Sequence, residues 1–270
     1  MNEAYVHGYS NREKRRLEDQ AVTLTDLLHS DTGYPPGSLV LEAGCGVGSQ
    51  TRTLLQKSPG ARFISIDISH ASVNQAREKV AAAGYQNIEF RVADIFDLPF
   101  ENEKFDHVFL CFVLEHIPDP GGVLNRLMRV LKSGGTITAI EGDHGSTFFH
   151  PDSAAARRAI QCLIDLQAKT GGHSEIGREL YPLFMQSGLT DVRVSPRMVY
   201  VDNSRPHLVE GFTKNTFTAM IEGIREKTVS EGLMEAGMFD QGVRDLYRTA
   251  EPDGVFCYTF FKAVGVKPSF

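Results

Sequence analysis

Three glycines within five positions, Gly44, Gly46 and Gly48, directly follow an apolar segment in the stretch VLEAGCGVGSQT. Glycine weakens strands and helices, so this cluster indicates a place where the backbone must remain bare. In an open α/β sheet such a turn follows the first strand, and the amide groups of the next helix point at a bound ligand. The stretch therefore predicts a strand, a ligand-binding turn and a helix.

Strand-like and helix-like segments alternate through the first half of the chain. We predict strands at SLVLEA, ARFISIDIS, NIEFRVAD, KFDHVFLCFV and TITAIEGD. The helices between them are predicted from cap and stop residues. Ser49 and Ser69 each cap one, and Asp119 with Pro120 begins another, which ends at Gly134 and Gly135. This alternation predicts a doubly wound, mostly parallel sheet.

The two ends of the chain do not continue this regular alternation of strands and helices. A capping box at Ser10 and Glu13 predicts an N-terminal helix that continues through Leu28. After His150 we predict helices over residues 153–169 and 175–187, a strand at LTDVRVSPRMVYVD, a helical segment over 206–250 and a closing strand at GVFCYTFFKAVGV. Because no Gly- or Ser-rich linker separates these parts, we expect one α/β domain with helical insertions.

Composition excludes several classes of protein. The net charge of −6 argues against a protein that grips nucleic acid. The four cysteines, Cys45, Cys111, Cys162 and Cys257, lie far apart, which favours reduced thiols over a disulfide frame or a zinc site. The N-terminal stretch lacks a secretory signal, and no segment approaches the roughly 18 apolar residues of a membrane span. We therefore expect a soluble, cytoplasmic protein.

Three acidic residues lie at successive strand ends, and they narrow the choice of ligand. Asp67 can accept hydrogen bonds from two ribose hydroxyls, Asp94 from an adenine amino group, and Glu42 can face a positive amino group. A dinucleotide fingerprint would need glycine at the position of Ser49, and a pyrophosphate would be repelled by Glu42. The acids thus favour S-adenosylmethionine, with an NAD-dependent oxidoreductase as the alternative.

The segments VLEAGCGVGSQT, ISIDIS, VADIFDLPFENEKFDHVFLCFVLEHIPDP and VLKSGGTI are similar to the ordered motifs of class I S-adenosylmethionine-dependent methyltransferases, small-molecule enzymes among them. The resemblance covers about residues 38–141. It implies a Rossmann-like, seven-stranded sheet whose last two strands are antiparallel, with insertions after strand 5 and between strands 6 and 7. We divide the single domain into an N-terminal helical lid (1–37), a cofactor-binding core (38–150) and an acceptor side (151–270).

The same resemblance implies which residues bind the cofactor. Tyr9, Arg12 and Arg16 belong to the lid. The methionine part of the cofactor lies against the glycine turn, the ribose and adenine against the ends of the second and third strands, and the sulfonium above the end of the fourth. The full implied set is Tyr9, Arg16, Glu42, Gly44, Cys45, Gly46, Thr51, Asp67, Ile68, Asp94, Ile95, Cys111, Val113 and His116.

The acceptor end is predicted from the loop EGDHGSTFFHPD after the fifth strand. His144 is the expected general base, since histidine titrates near neutral pH; alternatively, Asp143 and His144 only hydrogen-bond the loop backbone. A metal held by Glu141, Asp143 and His150 is a weaker alternative because nothing in the sequence fixes ligand geometry, so we expect none. The predicted wall of the acceptor pocket comprises His150, Arg178, Tyr181, Arg197 and Tyr200.

These observations predict an enzyme that transfers a methyl group from S-adenosylmethionine to a small-molecule acceptor by in-line displacement. We expect no nucleic-acid or membrane partner, and a monomer or homodimer. A protein that binds the cofactor but is catalytically silent, and acts through a partner, is the second alternative.

Overall fold

The structure, a computed structural model, describes residues 23–269. Its strands are β1 (Leu39–Ala43), β2 (Arg62–Asp67), β3 (Ile88–Val92), β4 (Phe105–Cys111), β5 (Leu131–His150), β6 (Thr190–Val201) and β7 (Val255–Val266). They form a seven-stranded sheet in the order β3-β2-β1-β4-β5-β7-β6, with β7 antiparallel. The predicted fold is therefore confirmed.

The helices connect these strands as an alternating α/β chain requires. They are α1 (23–29), α2 (Thr51–Lys57), α3 (His70–Ala82), α4 (Pro120–Val130), α5 (Ala154–Lys169), α6 (Leu180–Gln186), α7 (Pro206–Leu208), α8 (Ala219–Gly223), α9 (Arg225–Ser230) and α10 (Ala236–Arg248). A π-helical stretch, Val209–Thr218, lies between α7 and α8. Short 3₁₀ turns cover Leu114–His116 and Ile176–Glu179.

Two of the predicted caps are confirmed by side-chain hydrogen bonds. Ser69 accepts a bond from the amide of Ser72, and Asp119 accepts one from Gly122. The cap predicted at Ser49 is wrong. Gln50 is the N-cap of α2 and makes no capping bond with its side chain, while the Ser49 hydroxyl is buried without a hydrogen-bond partner.

The boundaries around β5 also differ from the prediction. Helix α4 ends at Val130 rather than at Gly134 and Gly135, because Leu131 already has extended backbone and pairs with Phe105 of β4. Strand β5 continues to His150, so the predicted loop after residue 143 is strand. In this extension, the hydroxyl of Ser146 accepts a bond from the backbone amide of Thr259 on β7.

The chain divides into two compact units. The core unit comprises Leu28–Glu141, Ile176–Pro196 and the residues from Phe261 onward. Its buried cluster joins apolar side chains of β1, β2, β4 and β5 to those of α4 and α6, among them Leu41, Val108, Leu124 and Phe184. The glycine turn and the ends of β1 to β4 all belong to this unit.

The aromatic unit comprises residues 23–27, Gly142–Glu175 and Arg197–Phe260. Its buried rings lie on the extension of β5, on β7 and on the π-helical stretch: Phe149, Phe212, Phe217, Phe256, Tyr258 and Phe260. Helices α5 and α10 pack closely, since a Cβ on Gly242 would approach the carbonyl oxygen of Ala155 to 2.5 Å.

Candidate functional site

The glycine turn follows β1 in the core unit, and its glycines are required for two different reasons. Gly44 and Gly46 have φ angles of 81° and 52°, a region that other residues rarely adopt. A Cβ on Gly44 would overlap the side chain of Val113, so this glycine is needed for packing. A Cβ on Gly46 would meet nothing within 4 Å, so the backbone there borders open space. A ligand can approach the main chain at Gly46.

Asp67, at the end of β2, is bonded to this turn. One carboxylate oxygen accepts the amide of Gly46 and the other accepts the amide of Ser69, both at 2.8 Å. Burial raises the pKa of Asp67, and these two amide bonds oppose that rise. Each oxygen retains a lone pair, so the carboxylate can accept further hydrogen bonds from a ligand.

The ends of β2 and β3 offer an apolar surface beside a second carboxylate. Ile68 is 51% exposed, although it directly follows a buried strand. Asp94 is exposed and accepts a bond from the amide of Phe96 at 2.8 Å through one oxygen only. Ile95 is partly buried against the core. A flat apolar ring with a polar edge is the kind of ligand that suits this surface.

Glu42, just before the glycine turn, is buried and satisfied by side-chain hydroxyls. Thr51 donates to both of its carboxylate oxygens, at 3.0 and 2.8 Å, and Ser65 donates to one of them. Burial raises the pKa of Glu42 to about 7, the charge of Asp67 adds to the rise, and the hydroxyl bonds oppose it. Glu42 thereby joins the start of α2 to β2 beneath the turn.

A second turn, the β4 turn, comprises Phe112, Val113 and Leu114. Phe112 has a φ of 57°, which is strained for a residue with a side chain. The amides of Val113 and Leu114 both donate to Oε1 of Glu141, at 3.1 and 2.9 Å. The β4 turn thus has a fixed shape that depends on a carboxylate from β5.

Glu141 is fully buried, and its second oxygen, Oε2, has no hydrogen-bond partner. Burial raises the pKa of Glu141, and the neighbouring carboxylate of Glu115 raises it further. Cys111, at the end of β4, is affected by the same groups: burial and the charge of Glu141 raise the pKa of its thiol well above the usual range. The raised pKa keeps the Cys111 thiol uncharged.

A chain of buried hydrogen bonds runs behind the glycine turn. The Lys262 ammonium donates to the hydroxyl of Thr32 at 2.7 Å, and that hydroxyl lies 3.2 Å from Nδ1 of His29. The other ring nitrogen of His29 lies 2.9 Å from the amide oxygen of Gln50, the N-cap of α2. Burial lowers the pKa of His29 to about 4, so the ring is neutral.

His144 lies in the aromatic unit on the extension of β5, and it is buried. Its Nδ1 is 2.7 Å from the hydroxyl of Tyr258, and its amide donates to the carbonyl of Ser174. A Cβ on Gly142 would overlap that same hydroxyl, so the glycine makes room for the pair. The ring of Phe217 packs edge-on against His144.

Comparisons with known proteins agree with this architecture. Residues 41–139 match the family described as a methyltransferase domain. A demethylmenaquinone methyltransferase from Bacillus cytotoxicus is 34% identical over 39% of this chain and 45% of its own length. The chain thus has the fold of the class I S-adenosylmethionine-dependent methyltransferases, and residues 41–139 resemble a methyltransferase domain.

Two further relatives extend the likeness beyond the matched segment. An uncharacterised 37.1 kDa protein encoded in transposon TN4556 of Streptomyces fradiae is 33% identical over 70% of this chain and 54% of its own length. Phosphoethanolamine N-methyltransferase 2 of Haemonchus contortus, solved with S-adenosylhomocysteine, has a TM-score of 0.58 at 18% identity, over 93% of this chain and 53% of its own. The chain thus spans about half the length of these relatives.

The predicted cofactor residues fall into three groups. Tyr9, Arg12 and Arg16 lie outside the described residues. Those that border the glycine turn and the ends of β2, β3 and β4 are Gly44, Cys45, Gly46, Asp67, Ile68, Asp94, Ile95, Cys111 and Val113. Glu42 and Thr51 are buried and bonded to each other, and the half-buried ring of His116 lies 3.3 Å from the carboxylate of Glu115.

The predicted acceptor residues lie in both units. His144, His150, Arg197 and Tyr200 belong to the aromatic unit, whereas Arg178 and Tyr181 belong to the core unit. His144 is buried, Arg197 is half-buried, and the others are exposed. Their convergence on one acceptor remains a prediction.

Two negative findings concern the described residues alone. Within residues 23–269, no three His, Cys, Asp or Glu side chains are grouped so that they could hold a metal ion. None of the helices in this range has the length and apolar character that crossing a membrane requires.

Three contributors were missed by sequence reasoning. Ser65 was read only as part of β2, Glu141 only as a weak metal ligand, and Tyr258 only as part of the closing strand. Each acts on a residue at least 23 positions away. An acid near the end of the predicted fifth strand is the one signal in the sequence that pointed to Glu141.

Proposed function

We propose that the chain binds S-adenosylmethionine at the glycine turn and transfers its methyl group to a small-molecule acceptor. The observation that carries this proposal is the open space at Gly46, beside a carboxylate that is bonded to the same turn. Bare backbone admits the methionine part, and the carboxylate of Asp67 accepts from ribose hydroxyls. The adenine ring then rests on Ile68, with its amino group toward Asp94.

The cofactor supplies an activated methyl group and a neutral leaving group. The protein has to align the nucleophile, exclude water and remove a proton where the acceptor carries one. Cys111 and Val113 form the floor of the site. Because they are apolar and uncharged, they help to align the nucleophile and to exclude water. No charged side chain of this chain has to attack the cofactor.

For the proton we propose His144. Its hydrogen bond to Tyr258 fixes the orientation of the imidazole, and Gly142 provides the space for that bond. A base held in one orientation is more effective than a mobile one. We place His150, Arg178, Tyr181, Arg197 and Tyr200 on the acceptor wall, where the arginines can bind an acceptor carboxylate.

The relatives support a small acceptor. The names of two of them refer to demethylmenaquinone and phosphoethanolamine, which are both metabolites. The helical segments of the aromatic unit also add a large apolar interior that cofactor binding does not require. Enclosure of an acceptor is a physical reason for such additions.

Calorimetry with S-adenosylmethionine, S-adenosylhomocysteine and NAD tests the cofactor assignment. We expect dissociation constants in the micromolar range, about −8 kcal/mol, for the first two ligands and no binding of NAD. The variant Asp67→Ala should bind at least tenfold more weakly, because bonds to a charged group contribute about 1.5–3 kcal/mol each.

The control is Asp106→Ala, which removes a carboxylate at the start of β4, bonded to Lys132 and to the amide of Leu39. This variant should bind like the wild type. Binding of NAD alone, or full affinity in Asp67→Ala, would overturn the assignment. Incubation of metabolite pools with methyl-labelled cofactor then identifies the acceptor.

A further inference from the structure

Glu141, within β5, is connected to the turns that follow β4 and β1. Its Oε1 accepts both Val113 and Leu114 amides, so it holds the β4 turn from β5. Val113 in turn occupies the space where a Cβ on Gly44 would lie. A single carboxylate thereby determines how the β4 turn packs against the glycine turn.

Three features show that this contact is specific and not incidental packing. The side chain is 0% exposed, so an unsatisfied carboxylate there is costly. Phe112 is held at a φ of 57°, and such strain persists only where surrounding contacts enforce it. Oε2 has no hydrogen-bond partner, so the hydrogen bonds within the protein satisfy only one of the two carboxylate oxygens.

We propose that Glu141 is a positioning residue of the cofactor site, which acts through the two amides of the β4 turn and through Val113 on the glycine turn. This inference rests on the proposed function, because it assumes that the glycine turn binds the cofactor. Glu141 itself touches neither ligand in this account. Its Oε1 orders the backbone of the β4 turn.

The role predicts a particular ranking of variants. Glutamine has a carbonyl oxygen in the place of Oε1 and can accept the same two amides, so Glu141→Gln should retain affinity for S-adenosylhomocysteine to within about threefold. Glu141→Ala leaves both amides without an acceptor, and the dissociation constant should rise about tenfold or more. The control Ile140→Val shortens the adjacent buried side chain of β5 and should leave the affinity unchanged.

Two measurements keep the result interpretable. Calorimetry gives the dissociation constant for S-adenosylhomocysteine, and native-state hydrogen exchange gives the protection of the amides of Val113 and Leu114. In Glu141→Ala we expect the dissociation constant to rise and the amide protection to fall. In Ile140→Val we expect neither to change, even where thermal unfolding shows a similar loss of stability. A role in packing alone would reduce stability without changing the affinity of the folded fraction.

The outcomes separate the two proposals. If the wild type does not bind S-adenosylhomocysteine, the proposed function fails. If the wild type binds and Glu141→Ala binds equally well with unchanged amide protection, the positioning role is overturned. If Glu141→Ala does not fold, Glu141→Gln decides, since a tenfold loss there would also contradict a role based on Oε1 alone.

Discussion

Two buried carboxylates lie beneath the same edge of the sheet, and they are satisfied in opposite ways. Glu42, at the end of β1, accepts from the hydroxyls of Thr51 and Ser65. Glu141, within β5, accepts from backbone amides and leaves one oxygen without a partner. A hydroxyl rotates to suit its acceptor, whereas an amide moves only with the main chain. Glu42 therefore joins side chains, and Glu141 determines the shape of the backbone.

The two carboxylates act on turns that meet at one glycine, and its substitution should have the largest effect. Gly44→Ala brings a Cβ into Val113 at a φ of 81°, so we expect a loss of about 3 kcal/mol in the free energy of unfolding. Gly46→Ala faces open space and should cost about 1 kcal/mol, while still weakening cofactor binding. Urea unfolding of both variants measures the difference. Equal losses would mean that the turns do not press on each other at Gly44.

The second prediction concerns how the free energy of unfolding depends on pH through these buried carboxylates. Burial raises the pKa of Glu42 from 4.5 to about 7 in the folded protein. The unfolded chain thus loses this proton first as the pH rises, so the contribution to stability is present below pH 4.5 and is lost as the pH rises to about 7. The loss amounts to about 3 kcal/mol.

Urea unfolding at intervals from pH 4.5 to 8 measures this slope, and Glu42→Gln should flatten it across that window. Glu141→Gln should flatten the slope as well, because burial also raises the pKa of Glu141. A Glu42→Gln variant with the same slope as the wild type would show that Glu42 is ionised at little cost.

The smallest expected effect concerns the hydroxyls around Glu42. Thr51→Val and Ser65→Ala each remove one donor and leave the other in place, so each should cost about 1 kcal/mol in the free energy of unfolding. Thermal unfolding measures both variants. If either variant lost as much free energy of unfolding as Gly44→Ala, the view that the two hydroxyls can each satisfy Glu42 in the absence of the other would be contradicted.

Local patterns in the sequence were sufficient for the strands. Six of the seven were predicted close to their observed bounds, because buried strands are short apolar segments between turn residues. The exception is β5, which was predicted over 136–143 and spans Leu131–His150. The caps at Ser69 and Asp119 were predicted for the same reason, since a cap acts within three residues. Ser49 failed because Gln50, one residue later, begins the helix.

The pairs of residues that contact each other in the site could not be predicted from local patterns. The amide of Val113 and the carboxylate of Glu141 are 28 residues apart, and His144 and Tyr258 are 114 apart. Which of several polar side chains meet depends on strand order and register, not on local sequence. The extension of β5 to His150 was missed because Gly142 and Gly145 resemble turn residues, yet Gly142 is needed for the hydroxyl of Tyr258.

The buried chain that ends at Gln50 has a direction. An ammonium group only donates, so Lys262 leaves the hydroxyl proton of Thr32 to point at His29. The neutral ring must then carry its proton on the far nitrogen, where it meets the amide oxygen of Gln50. In this series of hydrogen bonds, the direction of each bond is fixed by the bond before it. No residue in the series can therefore exchange its donor and acceptor roles alone. Over evolution these four positions are therefore expected to vary together or not at all.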